Sequence, residues 1–393
     1  MYYTTLKAGV NINNTSFFYL MGQTLQERTK VSGSWIGFTD HGSPPEAQLK
    51  IYDNLTALNN ERIFTIAVGG DLWEFNIAAN AWINHRQPAD GVSCELCGAA
   101  MWDNTIFVIG SDDNLYRHFE DNGTWNWENV GRPLTASGFS VKVGFRPDTP
   151  PYTLFDGKLF VIGKRNNLWE LFLDNNDWTW VNHGKPRSPY SVTSPGGLTG
   201  GLIGGIGGAV AGAIIGGSIG GPLGALIGGV IGAIVGGAAG SAAGHYANGG
   251  RSNVQKLGAG MNGEKLFVAS RDNFLNEFYW NGSEWQWVRH DKLFRKEAWP
   301  SHLETLRNGK LFVSLLNKET LAEHHYTGGA WRSFIHLQPE VGLTKYKVVS
   351  GPSEVFINED RIFVLLLLDG TFGNPAYVGS LSWNGSGWVW TIH

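Results

Sequence analysis

Lys158-Leu159-Phe160-Val161-Ile162, then Leu168-Trp169-Glu170, then Trp178-Thr179-Trp180 and the exit Val181-Asn182-His183-Gly184-Lys185-Pro186 decide the fold. Preceded by another short run, they read as four strands of a few residues each, separated by polar turns. In Trp-x-Trp both rings fall on one face of the last strand, where they can pack between adjacent sheets.

The same phrase recurs along the chain. A Phe sits in an apolar run at Phe17, Phe64, Phe107, Phe160, Phe267, Phe312 and Phe363, and a Trp follows at Trp35, Trp82, Trp125, Trp178, Trp285, Trp331 and Trp388. The separation is 18 residues in the first five copies, 19 in the sixth and 25 in the last. Four strands every 45–50 residues or so describe a propeller blade, and seven copies predict an all-β, seven-bladed β-propeller. Asn281-Gly282 and Asn384-Gly385, flanked by tryptophans, read as type I′ hairpin turns.

One segment breaks the pattern. Glycine recurs at every fourth position from Gly196 to Gly244, and no charged residue lies between Arg187 and Arg251. A period of four matches a helical turn, so Gly200, Gly204, Gly208, Gly212 and Gly216 would line one side of a first helix and Gly224, Gly228, Gly232, Gly236 and Gly240 one side of a second. Gly220-Gly221-Pro222 separates the two. Residues 198–219 and 223–244 are each long enough to span a bilayer core, and such small-residue faces favour close helix contact. The predicted organisation is blades 1–4 in 1–187, a glycine-zipper helical hairpin in 188–250 and blades 5–7 in 251–393. The segment would meet membrane lipid through 198–244, dock on protein, form the core of a homo-oligomer, or be a disordered or fibrous low-complexity insert.

The blade formula, clearest at 158–186, resembles tectonin-type propellers and the seven-bladed bacterial fucose-binding propeller lectins. The resemblance implies sugar sites at or between blades, with Trp or Tyr under the apolar side of a sugar ring and Arg, Glu or His toward its hydroxyls. The third strand of each blade supplies such pairs: Trp73-Glu74, Tyr116-Arg117-His118, Trp169-Glu170, Glu277 and Glu323-His324 are the expected carbohydrate-binding residues. Blade 7 departs from them with Val378-Gly379-Ser380.

Other classes of function find little support. Net charge is −4 with no basic cluster, which argues against nucleic acid as a partner. Cys94 and Cys97 are too few for a structural zinc site and read as ordinary thiols. His41, His85, His183, His290, His336 and His393 fall one per copy, which suits a structural role at the blade exit better than a shared metal site. No nucleophile elbow or phosphate-binding loop occurs, so no enzymatic activity and no cofactor are expected. The N-terminal residues show no signal peptide, and Asn54, Asn122, Asn281 and Asn384 in N-x-S/T context read as turns. Together these readings predict a lectin-like propeller, secreted or delivered without a classical signal, or otherwise cytoplasmic. It would recognise cell-surface glycans, fucosylated ones among them, and associate with membrane as a toxin, effector or defence protein. The alternative is an assembly protein whose zippers form a shared core and display propellers.

Overall fold

The computed structural model describes residues 9–186 and 254–393, apart from 14, 51–54, 102–103, 134–151, 155–157, 164–166, 176, 259–264, 271–273, 293–299, 306–309, 316–319, 328–329, 337–338, 342, 349–360 and 370–376. The glycine-zipper segment and Asn54 lie outside the described residues. What is described is a seven-bladed all-β propeller. Each of the seven sheets is an antiparallel meander of consecutive strands, with blades at 9–42, 56–86, 94–131, 152–184, 254–292, 300–336 and 340–392. Blade 7 adds a short inner pairing, Glu340–Val341, to its four strands.

The strands of the guiding phrase fall where the sequence put them, at Lys158–Ile162, Leu168–Asp174 and Asp177–Gly184, with Tyr152–Leu154 before them. First strands of neighbouring blades lie against one another and so nearest the axis, while the fourth strands are outermost and largely solvated. All seven anchor phenylalanines sit on second strands and are fully buried.

Each blade is covered on both faces. Phe160, Ile162 and Leu168 of blade 4 pack with Leu266, Val268 and Phe278 of blade 5, and Trp285 and Trp287 close that cluster. The other face of blade 4 presents Leu159, Val161, Trp169 and Leu171, with Trp178 and Trp180, to Phe107, Ile109 and Leu115 of blade 3. The Trp-x-Trp rings therefore belong to the joint with the preceding blade.

A second device locks the joints. The indole N–H of Trp82, Trp127 and Trp287 donates to the backbone carbonyl of His41, His85 and His183 in the preceding blade, at 3.4, 3.1 and 3.0 Å. Trp287→Phe is expected to cost about 1–2 kcal/mol, because it strands a half-buried carbonyl while preserving most of the ring packing. The readout is a lowered urea midpoint at unchanged slope.

The hairpins at Asn281 and Asn384 differ from the expected type I′ turn. Trp280 pairs with Trp285 and Trp383 with Trp388, so each loop has four residues, of which only the second has positive φ, +99° at Gly282 and +95° at Gly385. The asparagine side chain takes over part of the turn's hydrogen bonding, which the sequence pair alone did not reveal. Asn122-Gly123 does form a two-residue loop with both φ values positive, +50° and +77°.

Candidate functional site at the inter-blade clefts

Position along the third strand decides what each predicted site residue can do. Glu74, Glu170, Glu277 and Glu323 stand directly opposite the anchor Phe64, Phe160, Phe267 and Phe312. They therefore face the next blade, and all four are buried. Each carboxylate meets the fourth-strand histidine of its own blade: Glu74–His85 at 2.9 Å, Glu170–His183 at 2.5 Å, Glu277–His290 at 2.8 Å and Glu323–His336 at 3.1 Å. Glu27–His41 repeats the pair in blade 1 at 3.0 Å, and Ser380 replaces the acid against His393 in blade 7 at 2.9 Å. Hydrogen bonds to a cationic or neutral imidazole offset the cost of burying the carboxylate.

Trp73, Tyr116 and Trp169 lie one residue earlier, on the opposite face of the strand, and are also buried. The Tyr116 hydroxyl donates to Asp112 at 2.8 Å. Arg117 holds the acid's place in blade 3 and turns to Glu128 at 3.2 Å, with its guanidinium 4.0 Å from the Phe119 ring. His118 and His324 occupy the core position that Phe75, Leu171, Phe278 and Leu381 fill in other blades. Burial holds His118 down at about 3 and His324 at about 4. His118 Nδ1 donates to the Asn126 carbonyl, its Nε2 meets His85 Nδ1 at 3.0 Å, and His85 Nε2 meets Glu74. One proton in each of these three links satisfies the chain. The structure thus links Glu74 to His118 through His85; among the other predicted residues, Arg117 and Trp169 share the joint between blades 3 and 4, and Glu277 and His324 that between blades 5 and 6.

Residues the sequence reading passed over lie at the mouths of two clefts. Lys158 starts the second strand of blade 4, and its Nζ stands 5.5 Å from the Trp280 ring centre and 5.2 Å from that of Trp285, both in blade 5. The two indoles meet edge-on at 5.7 Å and 65°. Trp280 is 47% exposed. Behind the ammonium, Glu170 Oε1 lies at 3.7 Å.

The cleft between blades 6 and 7 repeats this arrangement. Lys310 Nζ is 4.9 Å from Trp383 and 4.7 Å from Trp388; the indoles cross at 5.7 Å and 68°, and Glu323 Oε1 lies 3.9 Å behind. Trp383 is 42% exposed.

The hairpins holding these rings match as well. Asn281 Oδ1 accepts from Ser283 N, Ser283 Oγ and Glu284 N, each at 2.9 Å. Asn384 Oδ1 accepts from Ser386 N and Oγ at 3.0 Å and from Gly387 N at 2.9 Å. The signal in the sequence was Trp-Asn-Gly-Ser-x-Trp, present twice, at 280–285 and 383–388. A Trp–Trp corner roofed by a lysine offers an apolar face beside a charged donor. A small concavity on the other side of blade 2, about 450 Å³ and lined by Asp71, Asn84, Arg86 and Asp90, is polar and lacks an aromatic wall.

Likeness to known proteins is confined to architecture. No family model and no curated protein matches the chain. Among solved structures, the β-propeller domain of Cps50 (Swd1) from Myceliophteria thermophila is similar at 8% identity, over 93% of this chain and 94% of that one, with a TM-score of 0.55. YCF48 from Cyanidioschyzon merolae is similar at 12% identity, over 94% and 95%, with a TM-score of 0.50. The WD40 repeats of RRP9 are similar at 7% identity, over 93% and 88%, again with a TM-score of 0.50. At such identities the likeness establishes the propeller fold and nothing finer.

Proposed function

We propose that the protein is a non-catalytic glycan-recognition propeller that takes sugar at the Lys158–Trp280–Trp285 and Lys310–Trp383–Trp388 corners. The observation carrying this reading is the half-exposed Trp280 and Trp383, each held rigid by a capped hairpin, a second indole and a lysine. A pyranose has an apolar C–H face to lay on an indole and a rim of hydroxyls for an ammonium to donate to. The buried acid–histidine pairs stand behind these corners and fix the lysine, so the third-strand residues act as supports rather than contacts.

Topology gives this reading a direction. In blade 5 the corner sits where the third strand turns into the fourth, and Val254, where the chain rejoins after the glycine-rich segment, lies at the opposite end of the sheet beside Ser270. About six or seven residues at 3.3 Å each separate the two ends, roughly 20 Å. The sugar-facing side and the side from which 188–250 departs are therefore opposite faces of the ring. That favours a protein that displays its sugar sites outward from a zipper-bearing side, whether the zipper segment enters lipid or assembles copies, over one that grips a glycan and pierces the surface beneath it.

A glycan array with the intact protein tests the proposal. Binding to a defined subset of sugars is expected, lost in the Trp280→Ala/Trp383→Ala double variant with folding intact by circular dichroism. A blank array, or binding untouched by the double substitution, refutes it. Deleting 196–244 is expected to leave array binding unchanged while abolishing oligomers or vesicle association.

A further inference from the structure

Blade 2 departs from its neighbours at one backbone position. Near the end of the fourth strand, past a bulge, the chain of blades 1, 3 and 4 enters the left-handed region at Gly42, Gly131 and Gly184, with φ of +67°, +80° and +70°. Each glycine amide donates to the side chain two positions earlier, Asp40, Asn129 or Asn182. In blade 2 the same place, opposite Leu72, is held by Arg86 at φ +61°, its amide donating to Asn84 Oδ1 at 2.7 Å. Glycine adopts this conformation at no steric cost, whereas the Cβ of an L side chain crowds its own backbone. Local folding therefore favours glycine, and the arginine answers some other demand.

Its surroundings supply that demand. Arg86 borders the concavity of about 450 Å³ together with Asp71, Asn84, Gln87 and Asp90, a size in the range of small-ligand sites. Asn84 Nδ2 donates to Asp71 Oδ2 at 3.0 Å and Gln87 Nε2 to the Gly69 carbonyl at 3.2 Å, which fixes that part of the wall. Among the described residues, neither the Arg86 guanidinium nor the Asp90 carboxylate has a hydrogen-bond or ion-pair partner. One cation and two carboxylates thus share a cavity without pairing with one another.

We propose that this concavity binds a free α-amino acid, its carboxylate taken by Arg86 and its ammonium by Asp71 and Asp90. A guanidinium holds a carboxylate through two parallel N–H donors, and an ammonium has three donors to share between the acids. An anion alone would meet the two carboxylates and a cation alone the arginine; a zwitterion satisfies both signs. The site lies at the Leu72–Arg86 end of blade 2, opposite the hairpin that joins its third and fourth strands, so it stands apart from the Trp–Lys corners and does not depend on the glycan reading.

Isothermal titration of the full chain with a panel of L-amino acids tests this, with the N-acetyl derivative and the amide of each as single-charge controls. At least one amino acid is expected to bind about tenfold or more tighter than either derivative, the effect of one charge-assisted contact. Arg86→Gly is expected to weaken binding by at least as much while leaving the urea midpoint level or raised, because glycine relieves the left-handed backbone. Asp90→Asn, which keeps the shape of the wall, is expected to weaken binding at an unchanged midpoint. The proposal is overturned if no amino acid binds at millimolar concentration, if a single-charge derivative binds as tightly as its parent, or if either variant binds as the parent protein does. A midpoint lowered by Arg86→Gly overturns it too, since the arginine would then serve the fold.

Discussion

Phe363→Ala is expected to destabilise the protein by about 3–5 kcal/mol, more than any comparable truncation at the rim, because it empties the joint that closes the ring. Among the described residues no sheet mixes strands from the two ends of the chain: blade 1 is 9–42 and blade 7 is 340–392. Among these residues no hydrogen-bonded ladder holds blade 7 to blade 1, and side-chain packing joins them. Phe363 stacks on Phe17 at 4.4 Å and 13°, takes the edge of Trp35 at 5.0 Å, and shares its cluster with Tyr19, Leu365 and Val378. His393 completes the seam, 5.7 Å from Phe363 and hydrogen-bonded to Ser380, which also receives Arg361. Urea unfolding checks the prediction. A lower midpoint at unchanged slope means the ring still unfolds as one unit. A reduced slope means that the ring opens at this joint before the rest unfolds. A loss below about 1 kcal/mol would show that closure does not depend on this ring.

Stability is expected to fall steeply as the solution is acidified below pH 6.5. Burial depresses three histidines from 6.5, His118 to about 3 and both His324 and His393 to about 4. His118 is flanked by Trp125, Trp127 and His85, with Glu74 and Arg62 behind; His324 by Glu323, His325 and Ser333; His393 by Arg361, Arg28 and Ser380. The sign follows from proton uptake. Between pH 6.5 and each lowered value the unfolded chain binds a proton that the folded ring refuses, so unfolding gains as pH drops, and above 6.5 the effect vanishes. At 1.36 kcal/mol per unit, each histidine costs about 2 kcal/mol at pH 5 and the three together on the order of 6. Glu323, held below the usual carboxylate range by its hydrogen bonds to His336 and His325 against the opposing effect of burial, adds to the loss only nearer pH 4. Urea midpoints at pH 7 and pH 5 test this. His118→Leu, which places the residue found in blades 4 and 7 at that position, should flatten the pH dependence by about a third. Equal midpoints at the two pH values would overturn the account.

The repeat was legible because a blade is a local object. Each is built from consecutive strands with turns of a few residues, so Phe160 and Trp178, 18 positions apart, fall on the second and fourth strands of one sheet and their counterparts recur in step. The acid–histidine pairs were legible only as separate lists, Glu170 among sugar contacts and His183 among blade exits. Joining them requires the register, which puts Glu170 opposite Val181 and leaves His183, two residues further on, as the unpaired residue of the bulge between Asn182 and Gly184. The burial of Trp73, Trp169 and Glu74 was hidden for a related reason. Alternation along a strand marks an inside and an outside only when one face is wet, and here a neighbouring blade covers both.

The chain by itself determined the number of blades, their order and the aromatic residues that fill them, since these depend on short-range pattern alone. Only the folded ring decided which of its tryptophans see solvent. Trp280 and Trp383 stand clear because they end a third strand at the rim, beyond the reach of the adjoining sheet, whereas Trp169, with the same chemistry in mid-strand, is sealed by the blade beside it.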